Sequence, residues 1–212
     1  FIFTASPALA HITNATHEHG SLALMFFTAL LHPWIGLDHL FAALVVGYFA
    51  YAHRAPRAIV TFLGGILLGG SIYAIITARA IMPEAFALHS INIAETVVSL
   101  SLFIFGVFCI LPKKYFTTTL QTILLLISGS THGFIHFYEG AAQTSLIKSG
   151  FVAAFQGLDL NAFLYFALIL VSTLSAHIFA YHFFKTIEQA KQKSLLSIFR
   201  YALAAICIAL GL

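Results

Sequence analysis

The sequence predicts an all-α polytopic membrane protein: a single bundle of six transmembrane helices, the first of them kinked or broken at a His-Pro motif. Three observations carry this expectation. Apolar residues make up 60% of the 212 residues and charged residues only 8%, against roughly 25% charged in an ordinary soluble domain. The apolar residues gather in runs close to or above the about 20 residues that cross a hydrocarbon core. Basic residues alternate between successive connections, as they do in a chain that threads a bilayer.

The six runs cover residues 21–52, 58–78, 91–111, 117–138, 161–184 and 195–212. Short polar connections at 53–57, 79–90, 112–116, 139–160 and 185–194 join them, and none has the composition of a domain linker. Residues 21–212 therefore read as one transmembrane domain, preceded by a segment at 1–20. Arg54, Arg57, Lys113, Lys114, Lys185, Lys191, Lys193 and Arg200 fall at the first, third and fifth connections, against Arg79 and Lys148 at the second and fourth. The positive-inside rule makes the odd connections cytoplasmic and puts both termini outside a bacterial inner membrane. Residues 1–10 end in Ala8-Leu9-Ala10, which reads as the tail of a secretory signal with an A-x-A cleavage site. Cleavage there would leave His11 at the outer end.

In the second run, Gly65-x-x-x-Gly69 is the spacing that lets a neighbouring helix approach closely. Cys109 and Cys207 sit in separate apolar runs without C-x-x-C spacing and read as packing residues. No G-x-x-x-x-G-K-[ST] phosphate loop occurs, and nothing in the charge pattern points to nucleic acid.

What needs explanation is the polar content of the spans. An ionisable group in hydrocarbon costs a few kcal/mol or more, so it faces the bundle interior, takes a partner and marks a site. The first run contains His32-Pro33-Trp34-Ile35-Gly36-Leu37-Asp38-His39. On an unbroken helix His32 and His39 would stand about 10 Å apart, too far for one ion; Pro33 and Gly36 predict the break that shortens this distance. The fourth run ends His132-Gly133-Phe134-Ile135-His136-Phe137-Tyr138-Glu139, which places His132, His136 and Glu139 on one helical face. Two imidazoles one turn apart form a chelate for Ni, Co, Cu or Zn, and a carboxylate adds charge. Asn92, Glu95 and Ser99 give the third run a polar stripe with Glu95 as ligand, proton acceptor or imidazole partner. The fifth run adds Ser175 and His177, the latter either a hydrogen-bonded structural residue or a relay. His11, His17 and His19, beside Glu18, form a loose outer cluster suited to metal capture, while His53 and His89 read as surface residues at connections.

With these motifs in view, the chain resembles the HupE/UreJ family of membrane proteins associated with hydrogenase and urease gene clusters. The resemblance rests on His32-Pro33-Trp34-Ile35-Gly36-Leu37-Asp38-His39-Leu40, close to that family's HP-x-x-G-x-DH-L signature, and on His132-Gly133-Phe134-Ile135-His136, similar to its HG-x-x-H element. The chain departs from the family pattern in having Thr131 before His132 and Phe137 after His136. The resemblance implies a permease for Ni2+ or Co2+, with the ion as cargo and no tightly bound cofactor. The metal ligands expected are His32, Asp38, His39, His132, His136, Glu139 and Glu95. Zn2+ fits the same residue types, and two other readings stand beside the permease: an intramembrane zinc hydrolase of the ceramidase type, which the same His and Asp residues could serve, and a non-catalytic subunit of a larger membrane complex. The partners expected are the divalent ion and the lipid bilayer, with a homo-oligomer or membrane-complex partners compatible with either reading.

Overall fold

The structure, a computed structural model, describes residues 22–78, 84–112, 115, 117–147 and 160–212. The leader-like stretch and His11, His17 and His19 lie outside the described residues. Helices account for nearly everything described: α1 (Leu22–Ile35), α2 (Leu37–Ala52), α3 (Arg57–Ala78), α4 (Glu84–Ile110), α5 (Thr118–Ile147), α6 (Leu160–Gln189) and α7 (Lys193–Leu210).

Hydropathy marks where hydrocarbon ends, not where a helix ends, and this accounts for several differences from the sequence reading. Helix α4 starts at Glu84, in a stretch of good helix formers, so His89 is helical and not part of a connection. Helix α5 continues to Ile147, which puts Glu139 inside it and not at the start of a loop. Arg200, counted above with the fifth connection, lies within α7. Helices α3, α4, α6 and α7 are long and apolar enough to cross a membrane, and α1 with α2 makes a fifth candidate if the pair is one bent span. Helix α5 is as long as α6 at 30 residues. Its apolar character is broken by Gln121, Ser128, Ser130, Thr131, His132, His136 and Glu139.

The α1–α2 junction is a single residue. Gly36 takes an extended backbone (φ −71°, ψ 114°) just after Pro33, which lies inside α1 and has no N–H to donate. The two helices meet there at 58°. The chain stays hydrogen-bonded through the bend, Gly36 N–H to His32 O at 3.0 Å and Leu40 N–H to Gly36 O at 2.8 Å. The turns after α2 and α6 each use one residue in the left-handed region, Arg54 (φ 50°) and Lys191 (φ 57°).

The core runs through the middle of the bundle and draws on every helix from α2 to α7: Val45 and Phe49, Phe62 and Ile66, Leu102 and Phe105, Leu125, Phe166 and Phe184, and Cys207 are all buried. The outer surface is also apolar, with Val60, Leu68, Ile75, Val171, Phe179 and Ile198 exposed. A soluble protein would not present such a surface on most of its helices; lipid makes it favourable. Helices α3 and α5 approach closely enough for backbone to meet backbone. A Cβ placed on Gly69 would stand 1.8 Å from Ser130 O, and one on Gly133 would stand 2.0 Å from Ile66 O. Gly65 meets Leu126 O and Gly129 meets Phe62 O in the same way. Two small-residue ladders thus face each other, the one on α3 expected and the one on α5, Gly129-x-x-x-Gly133, not singled out from the sequence. At the far end of the bundle, the Arg200 guanidinium of α7 donates to the carbonyls of Cys109 and Ile110, which close α4.

Candidate metal centre

The bend at Gly36 and the glycine contact between α3 and α5 together position a histidine cluster. His32 closes α1, Asp38 and His39 open α2, and His136 projects from the middle of α5. The ring centroids of His32 and His39 are 4.5 Å apart, and those of His32 and His136 are 5.0 Å apart. One ring nitrogen from each of His32, His39 and His136 fits within a 4.8 Å group.

The hydrogen-bonding pattern defines what this group is ready to bind. His39 Nε2 and His136 Nε2 stand 3.0 Å apart. On the opposite edge of each ring is a carboxylate: Asp38 Oδ1 is 2.8 Å from His39 Nδ1, and Glu139 Oε2 is 3.2 Å from His136 Nδ1. Glu139 accepts from His136 Nδ1–H and leaves that ring's Nε2 with its lone pair, whereas Asp38 Oδ1 sits beside His39 Nδ1 out of line for a hydrogen bond. Two ring nitrogens at 3.0 Å are held together only by an electrophile between them, a proton or a metal ion. Two imidazole nitrogens bound side by side on one ion, each about 2.1 Å from it, would be roughly 3.0–3.4 Å apart. His32 Nε2 is buried and has no hydrogen-bond partner among the described residues, which makes it a third donor.

His132 lies one turn before His136 on α5, its ring centroid 5.2 Å from that of His39. His177 of α6 is fully buried. Both line a small cavity shared with Pro33, His39, Phe62, Thr173 and His136. Glu95 is not part of the grouped His32, His39 and His136 set; it is half-buried on α4, next to Ala94, which with Val98 packs on Ile135 of α5.

Three polar residues of this region were not singled out from the sequence. Gln121 and Ser128 are buried on α5, and Ser128 Oγ lies 3.0 Å from Ser101 Oγ of α4. Residues 121, 128, 132, 136 and 139 share a stripe at helical spacing, the signal that would have found them. Thr173 stands one turn before His177 on α6, the same spacing signal on a second helix.

Comparison with known proteins gives a coherent picture. Over 153 residues the chain is 28% identical to the Protein HupE of Rhizobium leguminosarum bv. viciae, covering 71% of this chain and 70% of that protein. No solved structure matches. The family model described as HupE / UreJ protein matches residues 1–210, nearly the whole sequence, and the chain therefore belongs to the HupE/UreJ family.

Proposed function

We propose that this chain is a secondary permease that moves a divalent transition metal, Ni2+ or Co2+, through its buried histidines and carboxylates. The observation that carries the reading is the pair of Nε2 atoms of His39 and His136 at 3.0 Å, each ring backed by a carboxylate and both beside His32. Asp38 and Glu139 offset much of the cost of holding a dication in low dielectric, and neutral imidazoles keep binding reversible. The ion sheds water as it enters this group, with His11, His17 and His19 as an outer capture segment and Glu95 as an accessory carboxylate. The drive comes from the metal gradient, the membrane potential or protons.

In this reading the chain has six spans, α1 with α2 as one bent span and α5 as the sixth, its polar stripe turned to the interior. The alternation of basic connections supports both termini lying outside the inner membrane.

The test is uptake by proteoliposomes that enclose a metal-sensitive dye, with several divalent cations and with a pH gradient present or absent. His39→Ala and His136→Ala should abolish accumulation while the protein stays in the membrane; unchanged uptake refutes the assignment. The three-imidazole group also favours a second reading, since three protein ligands and an open position make a hydrolytic zinc site. A hydrolase would retain one equivalent of zinc through purification, whereas a permease would exchange its ion freely.

A further inference from the structure

Two imidazoles in this bundle have a fixed proton and a lone pair with nothing to bind. His132 Nδ1 lies 2.7 Å from the carbonyl oxygen of Ser128, and His177 Nδ1 lies 2.6 Å from that of Thr173. A carbonyl can only accept, so in both rings Nδ1 carries the proton and Nε2 carries the lone pair. Both Nε2 atoms are buried and without a hydrogen-bond partner among the described residues, as is the hydroxyl of Thr173. His132, Thr173 and His177 are 3%, 6% and 1% exposed. All three line the same cavity, of about 10 Å³, enough for one water molecule or one bare ion.

Leaving one buried acceptor unsatisfied is costly, and this cavity collects three polar groups in that condition. A purely structural hydrogen-bonding role does not require both rings to line one cavity, as they do. Donating Nδ1–H to a backbone carbonyl is instead the arrangement that orients a metal-binding imidazole and raises its basicity. Phe62 of α3 packs against both rings, with centroids 5.4 Å from His132 and 5.0 Å from His177, and keeps them from turning away.

We infer that His132 and His177, with the Thr173 hydroxyl, form a second divalent-metal station that receives the ion from the His32–His39–His136 group. The inference rests on the permease reading and adds a place to which the ion goes next. His39 and His136 belong to the first group and also line this cavity, so they are the contact between the two. Helix α6 is thereby a direct participant in the path, where the first group uses only α1, α2 and α5.

The test reads metal occupancy separately from transport. In purified H32A/H39A the first group is dismantled, and one Co2+ should still bind, with imidazole nitrogen in its shell by X-ray absorption. Adding H177A should remove that ion, whereas adding H53A should not. Retention of Co2+ in H32A/H39A/H177A, or its absence from folded H32A/H39A, overturns the inference; the latter is what a cavity holding only water would give. H32N/H39N replaces the alanine pair should that pair fail to fold. In otherwise wild-type protein, H177A should lower uptake at least tenfold while Co2+ binding to the first group changes less than twofold. Where wild type takes up metal, equal uptake by H177A also overturns it. If wild-type vesicles take up no metal while H32A/H39A still binds Co2+, the permease reading fails and the second station stands.

Discussion

Gly133→Ala is the sharpest test of how the bundle holds its histidines. The new methyl carbon would sit 2.0 Å from the carbonyl oxygen of Ile66, where ordinary contact begins at 3.4 Å, so α3 and α5 must part by about 1.4 Å. The obstacle is backbone, which has no rotamer to escape into. Overpacking of this kind costs about 1–3 kcal/mol even where side chains give way. The displacement also falls one residue after His132 and three before His136, so it changes the 3.0 Å spacing between His136 and His39. A shift of that size is about two thirds of a metal–ligand bond length. We expect Gly133→Ala to lower the melting temperature in detergent and to reduce Ni2+ or Co2+ uptake at least tenfold. Gly64→Ala is the internal control, because a Cβ there meets nothing within 4 Å. It should leave both measurements unchanged. Wild-type uptake and stability in Gly133→Ala would refute the claim that backbone contact between α3 and α5 sets the ligand geometry.

Other outcomes follow from the same contacts. Asp38→Asn and Glu139→Gln remove the carboxylates that orient His39 and His136, and each should weaken metal affinity about 10- to 100-fold in equilibrium dialysis while the helix content by circular dichroism is unchanged. Arg200→Ala strips the guanidinium from the carbonyls of Cys109 and Ile110 and should destabilise the protein by about 1–3 kcal/mol in thermal unfolding, with metal affinity unaltered. Cys109→Ala and Cys207→Ala should leave Co2+ binding as it is, and a sulfur-to-metal charge-transfer band in the wild-type spectrum would contradict this, since both thiols are buried in the apolar core.

Much of the architecture is legible in the residue pattern because lipid imposes simple demands. The first apolar run is too long for one straight span, and Pro33 with Gly36 signals a break, as the one-residue interruption there shows. His136 and Glu139 are neighbours on any helix, so their pairing could be read from spacing. The meeting of His32 and His39 with His136 could not, since it depends on the angle at Gly36 and on how α5 lies beside α2. The carbonyl partners of His132 and His177 are four residues back on their own helices, a local arrangement, yet their common cavity is wholly tertiary. Helix ends were the least visible feature: Glu84, Glu139 and Arg200 are charged but helical, and charge alone does not end a helix.

The single extended residue between α1 and α2 does more than shorten a distance. Because His32 is on one arm and His39 on the other, rotation at Gly36 opens or closes the gap between two ligands. Ser172 of α6 holds the α1 arm through the carbonyl of Leu30, at 2.5 Å. Whatever pulls on α6 therefore pulls on that arm, and in the proposed permease the joint would convert a tilt of one helix into the grip or release of a cation.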